Sequence, residues 1–226
     1  MPEYKEKLPL QAIAVKTPDW NTFQASIRFY ERKQGAAPWK AVDDNIPAVI
    51  GKNGLGWGRG IHPLDVCSGC IKREGDGKSP AGIFLLGTAF GYASPGEAAW
   101  IKLPYRQAGD CLQCVDDPHS PYYNLLVDTT EVKQEWESHE EMRRADGLYR
   151  LGVVVQHNAD RPVAGLGSCI FLHIWKGPHE ATSGCTAMED VHLERLLRRL
   201  DPMAMPILIQ LPESEYDRYR SDWRLP

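Results

Sequence analysis

A mainly β fold with one or two helices (α+β) is what this sequence predicts, on three observations. Short runs rich in β-branched and aromatic residues recur along the chain, each bounded by Gly, Pro, Asn or Asp. The 17 Pro and 20 Gly are scattered between those runs, so they punctuate turns and do not mark a hinge between domains. Two stretches alone carry a helical pattern.

The strand-like runs are, in order, "LQAIAVK" (10–16), "SIRFYER" (26–32), "PAVIGK" (47–52), "AGIFLLG" (81–87), "YYNLLVD" (122–128), "LGVVVQH" (151–157), "SCIFLHI" (168–174) and "PILIQL" (206–211). Each has strand length, and together they predict a sandwich or a partly closed barrel. The first helical stretch, "TTEVKQEWESHEEMRRA" (129–145), is mostly charged and is expected on the surface, with Val132, Trp136 and Met142 touching the core. The second, "TAMEDVHLERLLRRL" (186–200), sets Met188, Val191, Leu196, Leu197 and Leu200 on one amphipathic face. Thr186 and Glu189 have the spacing of a capping box, which starts this helix directly after Cys185.

A chain of 226 residues buries a full core, and the absence of repeats or a linker predicts one domain, 1–226. The net charge of -4 lacks the basic surface that nucleic acid requires, so no nucleic-acid partner is expected. No run approaches the roughly 20 apolar residues of a membrane span, so no transmembrane segment is expected. The start, "MPEYKEKLPL", has neither a basic n-region nor an apolar h-region, and no signal peptide is read in it. A cytoplasmic protein and one whose leader has been removed both fit, and no pattern specifies an oligomeric state.

The chemistry is concentrated in "FLHIWKGPHEATSGCTAMED" (171–190). Two-residue alternation puts Cys169, Phe171 and His173 on one strand face and Ile170, Leu172 and Ile174 on the other. Cys185 is expected just ahead of a helix, where partial positive charge favours thiolate over thiol. Gly184 permits close backbone approach, and the amides around it are candidates to meet a developing oxyanion. Alone, a strand histidine reads as a satisfied structural residue and a buried cysteine as a small hydrophobe. Together, a thiol at a helix start and an imidazole a short loop upstream form the arrangement that Cys/His acyl transfer requires.

The other cysteines leave alternatives open. "CSGC" (67–70) and "CLQC" (111–114) offer Cys67, Cys70, Cys111 and Cys114 as a structural zinc set, as disulfide staples in an oxidising compartment, or as free thiols. The separation of 41 positions (111 minus 70) exceeds the usual zinc-ribbon interval. Under the staple reading Cys169 remains a buried thiol and Cys185 the nucleophile. "GDGKSPAG" is a weak phosphate-loop candidate, and Asp76, Gly77 and Pro80 read better as a turn feeding the strand "GIFLLG".

Three motifs in order, "KREGDGKSPAGIFLLG" (72–87), "CVDDPHSPYYN" (114–124) and "GSCIFLHIW" with "TSGCTAMED", resemble the L,D-transpeptidase catalytic domain, the YkuD family of bacterial cell-wall enzymes. The resemblance is nearest to a branch whose last motif reads H-x-W and then T-x-G-C, and it spans about residues 8–212, followed by a charged tail, 213–226. It implies a YkuD-like β-sandwich in the periplasm or cell envelope that needs no metal or organic cofactor. Its partners would be peptidoglycan stem peptides, as donor and as acceptor. Cys185 would form a thioester with the donor, and an amine of a second stem would resolve it into a crosslink. His173 would be the general base, oriented by a backbone carbonyl, that of Ile174. The backbone amides of Ser183, Gly184 and Cys185 would form the oxyanion hole.

Tyr122 and Tyr123, on a strand with Asn124, would either line the peptide groove or pack in the core, and Trp175 is the better candidate for a groove wall. Departures from the family pattern are Ser183 in place of a histidine, Ala187 in place of a polar residue, and a His-to-Cys interval of 12 (185 minus 173). His179, inside that shortened loop, is a candidate to replace the missing imidazole. Two alternatives stand beside the transpeptidase reading. One is an L,D-carboxypeptidase or amidase using the same pair with water; the other is a non-catalytic, zinc-stabilised binding module.

Overall fold

The computed structural model describes residues 8–64 and 69–226. The strands run β1 (Gln11–Thr17), β2 (Gln24–Glu31), β3 (Lys40–Ala41), β4 (Ile46–Val49), β5 (Leu55–Trp57), β6 (Ser79–Gly91), β7 (Tyr105–Gln107), β8 (Leu112–Val115), β9 (Leu126–Asp128), β10 (His139–Glu141), β11 (Leu151–Val155), β12 (Phe171–Ile174) and β13 (Thr186–Met188). Helix α1 (Asp190–Arg199), a 3-10 turn (Pro202–Ala204), β14 (Ile207–Pro212) and α2 (Glu213–Tyr219) complete the chain.

The main sheet has the order β1-β14-β6-β11-β12-β13-β4-β2, and β2 pairs back onto β1. The ring closes like a barrel, which removes the open edges a flat sheet would leave. The β1/β14 and β12/β13 pairs are parallel, and the other neighbours in the ring are antiparallel. In β1 the residues Ala12 to Val15 are buried without alternation, the pattern of a strand covered on both faces. They pack with Ile27, Phe29, Phe84, Leu172, Leu208 and Ile209 in the largest apolar cluster. Helix α1 covers β11 and β12 through Leu193, Leu196 and Leu197, and α2 lies on β14 and β1. A separate small sheet, β10-β8-β9, stands beside the ring.

Seven of the eight strand-like runs lead to strands where the sequence puts them. The run 122–128 keeps only its last three residues as β9; Tyr122 to Asn124 form a turn, with Asn124 at φ 66°. A short amide side chain tolerates this left-handed backbone. The Asn124 amide ties the turn down by donating to the carbonyls of His157 and Asn158 and accepting from the Cys169 amide.

The expected helix at 129–145 does not form. Its residues make turns and then β10, whose Glu140 pairs with Cys114 of β8. Charged helix formers are a weak prior, and the edge of β8 offers a partner that overrides it. Trp136 and Met142 are nevertheless buried, as the sequence led us to expect, and Val132 packs beside Trp136. The second helix begins four residues later than expected: Met188 belongs to β13, Val191 is 60% exposed, and Leu193 takes the buried place. Pro80 lies inside β6 rather than in the preceding turn. The residues after 212, expected as a charged tail, fold back as α2 with Tyr216 and Leu225 in the core.

His157 shows how burial couples this fold to pH. A carbonyl can only accept, so the 2.8 Å contact from Nε2 to the Leu166 carbonyl puts the ring proton on Nε2. Nδ1 is then free to accept from the Arg59 amide, at 3.2 Å. Both partners are satisfied by the neutral ring. Burial pushes its pKa down to about 4, and burial likewise pushes His173 down to about 4. Between pH 6.5 and 4 the unfolded chain takes up protons that the folded rings refuse, so stability is full above 6.5 and is lost as pH falls toward 4. The expected loss is on the order of 3 kcal/mol per ring. Urea unfolding measured across that window will show the decline, and His157→Gln will have a shallower slope.

Candidate active site

Parallel pairing of β12 with β13 sets Leu172 opposite Thr186 and His173 opposite Ala187, which leaves Cys185 beside Phe171 at the mouth of the pair. Alternation along 169–174 is as the sequence predicts: Ile170, Leu172 and Ile174 join the barrel core, while Cys169 and Phe171 join a second cluster with Cys185 and Tyr149. Cys185 and His173 both line a cleft of about 490 Å³, together with Trp175, Ser183 and Gly184. The thiol accepts from the Phe171 amide at 3.3 Å and donates to the Cys169 carbonyl at 3.5 Å. Among the described residues no hydrogen bond joins the sulfur to His173 directly.

The His173 ring is held by its own strand. Nδ1 lies 2.7 Å from the Ile174 carbonyl, which can only accept, so Nδ1 carries the proton and the lone pair is on Nε2. The Tyr149 ring packs edge-on against the imidazole with centroids 5.1 Å apart. With its pKa lowered by burial to about 4, His173 is neutral at neutral pH.

Two hydroxyls shape the turn that presents Cys185. Buried Ser79 Oγ lies 2.6 Å from the Gly184 carbonyl and 3.0 Å from that of Cys185, and it accepts the Gly51 amide. Thr182 Oγ1 donates to the Cys185 carbonyl at 2.6 Å and accepts the Gly184 amide at 3.1 Å. The Gly184 amide is therefore already engaged, which corrects its expected place in an oxyanion hole. A Cβ at Gly184 would lie 3.1 Å from the Lys78 carbonyl oxygen, so close backbone approach favours glycine there.

The capping box is also corrected. Thr186 is in β13 and donates to Gln210 Oε1 at 2.6 Å, and Glu189 precedes α1 without capping it through its side chain. A strand thus separates Cys185 from the helix start, beyond the reach of the helix dipole. Burial pushes the Cys185 thiol well above its ordinary pKa, and Glu140 adds to this; the Phe171 amide, the Tyr149 hydroxyl and Lys72 partly oppose it. The resting sulfur is a thiol and the resting imidazole is neutral.

Cys114 forms a disulfide with Cys169, with Cα atoms 6.0 Å apart. This removes Cys114 from the suggested zinc set and Cys169 from the role of a buried thiol. Cys70 and Cys111 are exposed free thiols, and Cys67 lies outside the described residues. Among the described residues no group of three or more His, Cys, Asp or Glu could hold a metal ion.

Of the other expected groove residues, Trp175 lines the cleft and the rest do not. Tyr122 stacks edge-on with Trp136 at 5.6 Å, and His179 is exposed on its loop. Tyr123 is buried and acts at one remove: its hydroxyl donates to Glu74 Oε2 at 2.5 Å, which Ser168 Oγ also reaches at 2.7 Å. Glu74 itself lines the cleft, as do Lys72, Glu140, Arg144 and Tyr149, none of which sequence reasoning selected. The "KREGDG" motif held Lys72 and Glu74 in view as scaffold. Buried Lys72 is clamped by Asp76 at 2.7 Å and does face the cleft. Glu140 and Tyr149 had no local signal.

No family model and no curated protein matches this chain. A solved structure from Bdellovibrio bacteriovorus, titled "Structure of Bdellovibrio bacteriovorus Bd1075", is similar with a TM-score of 0.42 and 14% identity. The similarity covers 96% of this chain, which spans 55% of that one. At that level it carries no argument about fold or activity. No helix among the described residues is long and apolar enough to cross a membrane.

Opening the disulfide frees a loop with a sequence separation of 55, worth about 4 kcal/mol on chain entropy. The double variant Cys114→Ser, Cys169→Ser will unfold at lower urea by a corresponding amount. Ser79→Ala will cost about 1–3 kcal/mol in urea unfolding, because it strips a buried hydroxyl from the Gly51 amide and the Gly184 and Cys185 carbonyls.

Proposed function

We propose that this chain is a cysteine acyltransferase of the L,D-transpeptidase type, with a YkuD-like sandwich as the finer description of its strand ring and an envelope location. The observation that supports it best is that Cys185 and His173 line one cleft while the Ile174 carbonyl holds Nδ1, leaving Nε2 as the basic nitrogen. A disulfide beside the nucleophile suits an oxidising compartment.

Because thiol and imidazole are both neutral at rest, the proton leaves sulfur for Nε2 as attack proceeds, and no preformed ion pair is used. Sulfur bonds to the carbonyl carbon of a D-centre-containing stem bond. The amides of Ser183 and Cys185 meet the oxyanion, with the neighbouring Gly184 amide committed to Thr182. The imidazolium returns its proton to the departing amine, which leaves a thioester. An acceptor amine then gives the crosslink and regenerates the thiol. Lys72, Arg144 and Lys176 share the cleft with Glu74, Glu140 and Glu180, a mixed wall suited to a peptide bearing both charges.

Incubation with disaccharide-peptide monomers will yield crosslinked dimers by mass, and a carbapenem will add its mass at Cys185. Cys185→Ala will abolish both, and His173→Ala will slow turnover by about 10²–10⁴-fold. Shortened monomers without dimers would reassign the reaction to hydrolysis. An unmodified Cys185 in folded protein would overturn the proposal.

A further inference from the structure

The nucleophile proposed above is not surrounded by inert packing. Tyr149 stands in the same packed cluster and lines the same cleft. Its hydroxyl donates to Glu140 Oε2 at 2.5 Å. The ring is held edge-on by Phe171 at 5.5 Å, Phe90 at 5.8 Å and His173 at 5.1 Å, and the Arg144 guanidinium lies 4.9 Å from its centroid. Glu140 is fixed in turn by the pairing of β10 to Cys114, which is bonded to Cys169, whose carbonyl receives the thiol. The pair is therefore built into the frame that holds the sulfur.

We propose that Tyr149 and Glu140 are positioning residues for Cys185, acting as a two-position hydroxyl switch. Tyr149 has one proton to donate. In the resting state that proton goes to the Glu140 carboxylate, and the carboxylate's charge opposes a second negative charge on sulfur. When sulfur ionises, the hydroxyl turns to it, and a single charge-assisted hydrogen bond is transferred from carboxylate to thiolate. No bond to carbon is made or broken in this step, and the thiol proton leaves by the route already described.

Glu140 raises the thiol and the Tyr149 hydroxyl lowers it, while burial raises the Glu140 carboxyl itself and the hydrogen bond from Tyr149 opposes that rise, favouring the ionised carboxylate. The other charged or titratable groups on the cleft walls are Lys72 and Glu74 ahead of β6, Asp116 after β8, Arg144, His173, and Lys176 with Glu180 on the loop before β13. They are the same in every variant below, so their contribution cancels in the comparison.

Opposite signs from two touching residues distinguish this arrangement from simple packing. The test is the rate at which iodoacetamide alkylates Cys185 between about pH 7 and 9, read by mass on the Cys185 peptide so that exposed Cys70 and Cys111 do not interfere. Removing the charge with Glu140→Gln will shift the profile to lower pH by about one unit, about tenfold in rate below the midpoint. Removing the donor with Tyr149→Phe will shift it the other way, slowing alkylation about threefold or more. Glu140→Asp, which keeps the charge, will stay near the unaltered profile. Shifts of the same sign in Glu140→Gln and Tyr149→Phe, or no shift in either, overturn the proposal.

The inference rests on the reading of Cys185 as a nucleophile, but its test needs no peptide substrate. Opposite shifts without any peptide turnover would overturn the function above and leave the switch standing. A Cys185 that never alkylates in the unaltered protein would overturn both.

Discussion

The site depends on the register of one short strand. β12 and the residue before it are packed so that Ile170, Leu172 and Ile174 enter the barrel core, and a strand whose side chains alternate must then turn Phe171 and His173 to the other side. Slipping by one residue would exchange the two sets and bury charge-bearing chemistry in the apolar interior. The core thus sets where the imidazole points, and parallel pairing with β13 brings Cys185 to the same place. Closure of the ring through β1 and β2 keeps this register from drifting, because no strand in it has a free edge along which to slide.

On that base Cys185 and His173 are kept uncharged within a cleft whose walls carry charges of both signs. A buried imidazole held neutral and a buried thiol held protonated avoid the cost of two separated charges in a poorly solvated site. On the proposed function, reactivity is created by what enters the cleft. The backbone amide of Phe171 is already in place at the sulfur as a donor to negative charge there. The hydroxyls of Ser79 and Thr182 serve the turn itself, fixing the carbonyls of Gly184 and Cys185 and so the direction of the peptide planes between them.

The small sheet supplies Glu140 to the cleft wall. β8 and β10 carry Cys114 and Glu140 as paired neighbours, and the Cys114–Cys169 bond fastens this sheet to a residue two positions before β12. Asn124 adds a second fastening to the same residue through the Cys169 amide. Cys169 itself has φ 52°, a left-handed backbone that costs a residue bearing Cβ and persists here because disulfide, amide and carbonyl are all engaged. This part of the cleft wall is in this way tied to the strand that carries His173.

Local pattern was enough for every strand of the ring but β13, whose residues read as the start of a helix. Apolar runs between turn residues, and the alternation through "SCIFLHI", are properties of neighbouring positions, and they led to β12 and to His173 on its outer face, while the Ile174 carbonyl at its ring was implied by the family resemblance alone. Pairings across the chain were decided only by the tertiary structure. CxxC spacing drew attention within each pair, yet Cys114 bonds to a cysteine outside both pairs. Helix-forming composition at 129–145 yielded to the unpaired edge of β8, and a capping box at Thr186 yielded to a place between β12 and β4. Glu140 and Tyr149 come to the cleft of Cys185 from more than 30 positions upstream and leave no periodic trace in the sequence. Side-chain periodicity is set by the backbone of a single element, whereas the partner of a sulfur, a hydroxyl or a strand edge is set by which elements pack together.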